Sequence, residues 1–256
     1  MVKLFSLFKR QAICLSLFLL VASISNGQTK DTLRVLFVGN SYIYYNNLIQ
    51  MVSLLSDSTP TKLICTKSTV GGTNLGEHWD GRKGLYSKQL IEKNKYDIVV
   101  IQDNSMWPIE HADSLLWYGE KFCQLIKGRG ARPFLYNTWS RKKTPQTQTQ
   151  INEAYGALSK KCGAIVVPVG QSFQELIKFK PEWELYHHDG SHPSTLGTFL
   201  AALSFVKAFT GTVPDKMPLV FNYYDKDGET FRIMQVTPEE VNVSRNVVKT
   251  ISAQYQ

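Results

Sequence analysis

Two short stretches of this chain hold residue types that do chemistry together. One is Gly39-Asn40-Ser41, directly after an apolar run. The other is His187-His188-Asp189-Gly190-Ser191-His192, near the C-terminal end. A serine hydroxyl is a weak nucleophile until a base takes its proton. An imidazole is such a base when a carboxylate fixes its tautomer and stabilises the imidazolium. Asp189 precedes His192 by three residues, so one turn of chain can hold both. The oxyanion formed on attack needs donors: the Ser41 backbone N–H, a glycine N–H and a side-chain amide would serve. Gly72, within Val70-Gly71-Gly72-Thr73-Asn74, and Asn104, within Gln102-Asp103-Asn104-Ser105, are placed to supply them. Each such donor contributes roughly a hundred- to a thousand-fold in rate.

These residues must be brought together by the elements around them. LRVLFV (33–38), KLICT (62–66), YDIVVIQ (96–102), RPFLYNTW (132–139) and AIVVPV (164–169) are short apolar runs that predict buried parallel strands. Helical spacing is found from Ile43 to Leu55, Gly84 to Lys93, Ser114 to Lys127 and Gln146 to Lys161, the last ended by Cys162-Gly163. Ser194 to Thr210 forms an apolar helix capped by Ser194 or Thr195. Thr237-Pro238 opens a final helix, with Glu239 and Glu240 in its first turn. Strands alternating with helices predict a parallel sheet covered on both faces. Ligands of such sheets gather beyond the carboxyl ends of the strands, where the serine, glycine and asparagine motifs fall. Residues 212–236 are less regular and suit a surface excursion or a small hairpin around Asp227-Gly228.

Gly-Asn-Ser after the first strand, glycine after the second, asparagine after the third and Asp-x-x-His near the end resemble the SGNH (GDSL-like) hydrolase superfamily. The likeness spans about residues 32–210. It implies a flavodoxin-like three-layer α/β/α sandwich, here with a five-stranded parallel sheet, and a Ser-His-Asp triad acting on esters. On that resemblance Ser41 is the nucleophile, His192 the base and Asp189 its orienting acid. Gly72 and Asn104 complete the oxyanion hole with the Ser41 amide. The first motif departs from the commoner form, which has aspartate before the serine; Asn40 keeps a turn-forming side chain without the charge. The third block usually reads Gly-x-Asn-Asp. Here Gln102 competes with Asn104 as the amide, and spacing favours Asn104. Gly71 competes with Gly72, and the downstream Thr73-Asn74 favours Gly72.

The other features bound the function. Lys3, Lys9 and Arg10 precede the apolar run Ala12–Ile24, and Ser25-Asn26-Gly27 supplies small residues for cleavage before Gln28. This is the layout of a secretory signal peptide, which predicts a single domain over 28–256 in the periplasm or the medium. Three of the eight net positive charges sit in that leader, so the remainder is only mildly basic. Arg141-Lys142-Lys143 is the one tight basic run. In its polar setting it reads as a solvated loop, and no nucleic-acid partner is expected. No stable membrane partner is expected either. The chain lacks Gly-x-Ser-x-Gly, a Walker-type loop and GxGxxG. His187, His188, Asp189 and His192 share one loop, with no second ligand cluster, which argues against a metal site. No cofactor is required.

Cys65, Cys123 and Cys162 follow the leader; export permits one disulfide among them, burial as small apolar residues fits equally well, and the sequence selects neither a pair nor a bond. Tyr42, Tyr44, Tyr45, Trp79, Trp107, Trp139 and Tyr186 fall near the motifs, as core packing or as a platform for sugar rings. The combined expectation is an exported serine esterase acting on short acyl esters of small molecules or glycans, acetyl above all. The rivals are a non-catalytic carbohydrate-binding protein on the same scaffold and a lipase or thioesterase.

Overall fold

Alternation along the central strands sets the layers. Successive strand residues point to opposite faces. Val35 and Phe37, Ile98 and Val100, and Phe134 and Tyr136 enter one buried cluster, while Leu36, Val38, Val99, Ile101 and Leu135 enter another. Both faces of the sheet are therefore apolar, and helices must cover both. The computed structural model describes residues 30–251, so the leader and its cleavage site lie outside the described residues.

From Asp31 onward the chain forms one unit. β1 (Asp31–Gly39) runs into a single helical turn, α1 (Ser41–Tyr44); a 3-10 turn (Tyr45–Asn47) then leads to α2 (Leu48–Ser56) and β2 (Thr61–Thr69). α3 (Leu75–Asp80) and α4 (Ser87–Lys93) precede β3 (Ile98–Ile101). α5 (Trp107–Glu110) and α6 (Ala112–Gly128) precede β4 (Arg132–Asn137). α7 (Gln148–Cys162) leads to β5 (Ile165–Pro168), followed by α8 (Val169–Phe179), α9 (Thr195–Thr210), a hairpin of β6 (Val220–Tyr224) and β7 (Thr230–Gln235), and α10 (Pro238–Thr250).

The five main strands are parallel, in the order β2-β1-β3-β4-β5, with Val35 paired to Cys65 on one side and Ile98 on the other. β2 and β3 flank β1, so the chain leaves β1 in one direction and returns to β3 on its other side. A crevice opens at the carboxyl ends where the strand order reverses, and Ser41 stands there, two residues past the end of β1.

Several boundaries differ from the sequence expectation. The helix predicted over 43–55 is interrupted because Asn46 and Asn47 take left-handed conformations, with φ of 47° and 58°; asparagine is among the few residues that tolerate this. The strand predicted over 132–139 ends at Asn137, since the next residues leave the ladder: the Thr138 carbonyl accepts from Gln148 Nε2 and the Trp139 indole donates to the Ser191 carbonyl. The predicted end of β5 at Val169 is instead the start of α8, whose Phe173 and Leu176 face the core at helical spacing. Ser194 caps α9, accepting from the Gly197 N–H at 3.1 Å. The hairpin around Asp227-Gly228 is present, its turn held by the Asp225 carboxylate on the N–H groups of Asp227 and Glu229.

The fold also selects a cysteine pair. Cys123 on α6 and Cys162 at the end of α7 bring their Sγ atoms to 2.6 Å, while Cys65 lies apart in β2. Closure needs little backbone movement. We expect oxidised protein to lose about 2 Da in intact mass and to yield Cys123- and Cys162-containing peptides joined until reduction, with a stability gain of about 2–4 kcal/mol. A Cys65-containing crosslink, or three free thiols after oxidation, would contradict this.

Candidate active site

Ser41 is presented by a tight turn whose parts are each fixed. Gly39 is glycine because a Cβ there would lie 2.4 Å from Gln102 Oε1 and 3.0 Å from the Gln102 carbonyl oxygen. That close approach lets the Asn40 N–H donate to Gln102 Oε1 at 3.0 Å. The Asn40 side chain caps α1 by accepting from the Tyr42 N–H, and its Nδ2 donates to the carbonyls of Thr73 and Asp103 at 3.0 and 3.3 Å. One amide thus joins the ends of β1, β2 and β3. An aspartate at this position has no hydrogen to donate when ionised, which gives a physical role to the departure from the commoner motif.

His192 and Asp189 come from a short loop closed at its base. The His187 N–H donates to the His192 carbonyl at 2.8 Å, and Tyr186 pairs with Pro193. Asp189 Oδ1 accepts from the N–H groups of Ser191 and His192, both at 2.9 Å, while Oδ2 lies 2.6 Å from His192 Nδ1. His192 Nε2 lies 2.8 Å from Ser41 Oγ. Burial works against the Asp189 carboxylate, but the His192 ring and the two backbone donors outweigh it and hold the group well below the usual carboxylate range. An Nδ1–H directed at this carboxylate leaves Nε2 as the acceptor facing the serine hydroxyl.

The structure separates the amides that the sequence left in competition. Gln102 is fully buried, with Oε1 on the Asn40 N–H and Nε2 donating to the Asp103 carbonyl. Asn104 lies nearer the surface; its Nδ2 donates to the Gly72 carbonyl at 3.1 Å and its Oδ1 accepts from the Met106 N–H at 3.0 Å. That leaves one Nδ2 hydrogen outside these bonds. Gly72 has φ of 69°, a conformation that favours glycine, whereas Gly71 abuts the Tyr44 hydroxyl. Ser41, His192, Asp189, Gly72 and Asn104 therefore belong to loops tied to one another by direct hydrogen bonds.

His78 and Asn46 escaped the sequence analysis, and the bonds of Tyr42, Tyr45 and Trp139 could not be read there, because they depend on contacts across the fold. The His78 ring is buried between the loops: Nε2 lies 2.9 Å from the Gly39 carbonyl and Nδ1 2.6 Å from Ser87 Oγ. The carbonyl can only accept, so Nε2 carries the hydrogen. Burial pushes this histidine down to about 4, so it is neutral. Tyr42 and Trp139 are stacked at 4.8 Å, and Trp139 on Phe173 at 4.1 Å. The Trp139 indole donates to the Ser191 carbonyl at 2.9 Å, and the Tyr42 hydroxyl meets Ser191 Oγ at 2.7 Å. Tyr45, placed by the asparagine kink, stacks on the His192 ring at 4.4 Å. Asn46 fixes the kink by donating to the Pro193 carbonyl and Thr198 Oγ1.

The proposed aromatic platform is accordingly smaller than the sequence suggested. Tyr42, Trp139 and Tyr186 are buried, and Trp79 packs edge-on against Phe122 in the opposite layer. Tyr44, Tyr45 and Trp107 keep exposed surface.

Beneath Asn104 lies Asp103, only 1% exposed. Its Oδ1 accepts from the N–H groups of Leu75 and Asn104 at 3.0 and 2.8 Å, whereas Oδ2 is buried without a partner. Burial pushes this carboxyl up to about 7 despite the two donors. An acid raised in this way binds an extra proton in the folded state, so its contribution to stability declines as pH rises from about 4 to about 7. We expect Asp103→Asn, which retains an oxygen for both amides, to gain melting temperature over wild type at pH 8 and to lose that advantage near pH 4. The change between the two pH values corresponds to roughly 2–4 kcal/mol. Paired calorimetric scans check it, and an advantage that grows toward acid would refute it.

No protein-family model and no curated protein sequence matches this chain. Solved structures do. A protein from Slackia heliotrinireducens, described as a candidate SGNH hydrolase, is similar with a TM-score of 0.61 at 25% identity, over 71% of this chain and 100% of its own. A DUF4886 family protein from Bacteroides uniformis ATCC 8492 is similar with a TM-score of 0.69 at 18% identity, over 86% and 94%. The acetyl xylan esterase AlAXEase aligns with a TM-score of 0.53 at 16% identity, over 69% and 99%. This chain has the three-layer α/β/α fold of the SGNH hydrolases.

Proposed function

We propose that this protein is an exported serine esterase that hydrolyses short acyl esters, acetyl above all, on small molecules or carbohydrates. The observation that carries the proposal is the unbroken relay from Asp189 through His192 to Ser41, with contacts of 2.6 and 2.8 Å. Ser41 Oγ attacks the ester carbonyl as His192 Nε2 takes its proton, and Asp189 stabilises the imidazolium. The N–H groups of Ser41 and Gly72 and the free Asn104 Nδ2 hydrogen receive the oxyanion. His192 then protonates the departing alcohol, and water attacks the acyl-enzyme with His192 again as base. His192 and Asp189, with side-chain exposures of 25% and 36%, favour a short acyl group on an open surface. The exposed ring of Tyr44 and the half-buried rings of Tyr45 and Trp107 suit a carbohydrate alcohol.

The test is hydrolysis of p-nitrophenyl acetate, butyrate and octanoate, together with fluorophosphonate labelling followed by peptide mapping. Turnover that falls with chain length, and a label on Ser41, are expected. A preference for octanoate moves the assignment to a lipase or thioesterase. A folded protein that neither turns over ester nor takes the label is the non-catalytic binding protein. Export is tested by N-terminal sequencing of the secreted chain, which should begin at Gln28.

A further inference from the structure

Arg141 is exposed, as expected of a solvated loop, yet its place in that loop is fixed. The backbone on either side of it is anchored. The Ser140 carbonyl accepts from the buried Tyr186 hydroxyl at 3.0 Å, and the Lys142 N–H donates to the Gly190 carbonyl at 2.9 Å. This fixes Arg141 beside the Asp189–His192 loop. From there its guanidinium reaches across to Ser105 Oγ, 3.5 Å from Nη2 and one residue beyond Asn104. The side chain thus runs from the wall that holds the base to the wall that holds the candidate oxyanion amide. Its charge also acts on the Tyr42 phenol, whose hydroxyl meets Ser191 Oγ at 2.7 Å. The guanidinium and the hydroxyls of Ser105, Ser191 and Tyr42 form a patch rich in donors at the edge of the reacting centre.

The patch has one anionic neighbour, since the Asp189 carboxylate also acts on the Tyr42 phenol, with the opposite sign to Arg141. Asp189, the carboxylate that shares the cleft, is held by His192 and two backbone amides. The neighbouring Lys142 pairs outward with Glu184. Arg141 itself forms no ion pair among the described residues; its one side-chain hydrogen bond is the long contact to Ser105. A guanidinium in a fixed frame, paired with no carboxylate among the described residues and flanked by hydroxyls, matches a carboxylate through paired N–H donors.

We propose that Arg141, with Ser105 and Ser191, forms an anion subsite, and that the natural substrate is an ester carrying a carboxylate close to the scissile bond. This inference rests on the esterase reading of Ser41 and narrows its substrate class. The carboxylate can sit on the acyl or the alcohol side, and two matched pairs of esters separate these. One pair is p-nitrophenyl hemisuccinate against p-nitrophenyl butyrate. The other is 3-acetoxybenzoate against its methyl ester.

The wild-type chain is expected to favour the anionic member of one pair by about tenfold or more in kcat/KM, with a preference that shrinks in high salt. Arg141→Gln should cut that ratio by roughly 10- to 100-fold, and Arg141→Lys should restore part of it. No preference in either pair, or a preference that Arg141→Gln leaves intact, overturns the subsite. If no ester is turned over and Ser41 takes no fluorophosphonate, the esterase reading fails by itself. Calorimetric titration of 3-hydroxybenzoate and its methyl ester then decides the subsite. Carboxylate-selective binding lost in Arg141→Gln retains it, and equal or absent binding of the two ligands removes it.

Discussion

Ser41→Ala is expected to lower kcat/KM for p-nitrophenyl acetate by roughly ten thousand- to a million-fold while the protein stays folded. The substitution removes the only atom that the relay activates. His192 Nε2 then faces a methyl group instead of a hydroxyl 2.8 Å away. The donors on Gly72 and Asn104 do not touch Ser41 Oγ, so they survive and support a small residual rate by direct attack of water. Ser41 is half-buried, and its side chain makes that one bond, so the cost in stability is small, within about 1 kcal/mol. Initial rates, fluorophosphonate labelling and a melting curve measured on one preparation test this. A variant that melts normally and keeps even a tenth of the wild-type rate would remove Ser41 from the chemistry.

Asp189→Asn is expected to cost roughly ten thousand-fold in kcat with little change in the loop. The asparagine oxygen can take over the N–H groups of Ser191 and His192, which Oδ1 now accepts at 2.9 Å. Its Nδ2 then occupies the place of Oδ2, which stands 2.6 Å from His192 Nδ1. An amide donates there, so Nδ1 must accept and the ring hydrogen moves to Nε2. The base then offers a hydrogen to Ser41 where it must receive one. Flipping the amide would set its hydrogens against two backbone donors, so the loop itself holds the unproductive tautomer. Asp189→Ala gives the contrasting case: the backbone anchor is lost too, and the melting temperature should fall with the activity. Steady-state rates and melting curves on both variants separate the two effects. Equal activity of Asp189→Asn and wild type would show that this carboxylate does not orient the base.

The strands and the positions of the candidate site residues were legible in the sequence for a common reason. A strand buried on both faces must be an apolar run, and IVVI or VLFV cannot be placed elsewhere at low cost. Ser41, Gly72 and Asn104 follow such runs, so strand positions alone carry them to one edge of the sheet. Local chain geometry does the same for Asp189 and His192, three residues apart in one loop. Helices of a single turn were less visible. α1 and α5 hold too few residues for periodicity; α1 is capped by the Asn40 side chain, and α5 follows a turn in which Asn104 Oδ1 accepts from the Met106 N–H. The break at Asn46 and Asn47 was equally hidden, since it is fixed by bonds to Pro193 and Thr198, far along the chain.

The sequence by itself determined the sheet, its two apolar faces and the set of residues at its carboxyl edge, because hydrophobic period and motif order are local properties of the chain. Only the tertiary structure decided between partners of like chemistry. Gln102 and Asn104 carry the same amide, yet Gln102 is locked under Gly39 while Asn104 faces outward on Gly72. Cys123 met Cys162 and not Cys65 because α6 and α7 pack side by side. Arg141 looked like one charge in a basic run until the fold anchored its backbone beside Gly190 and set its side chain across the cleft. Such choices turn on a few ångströms between segments distant in sequence, and those distances are set by the packing of the whole domain.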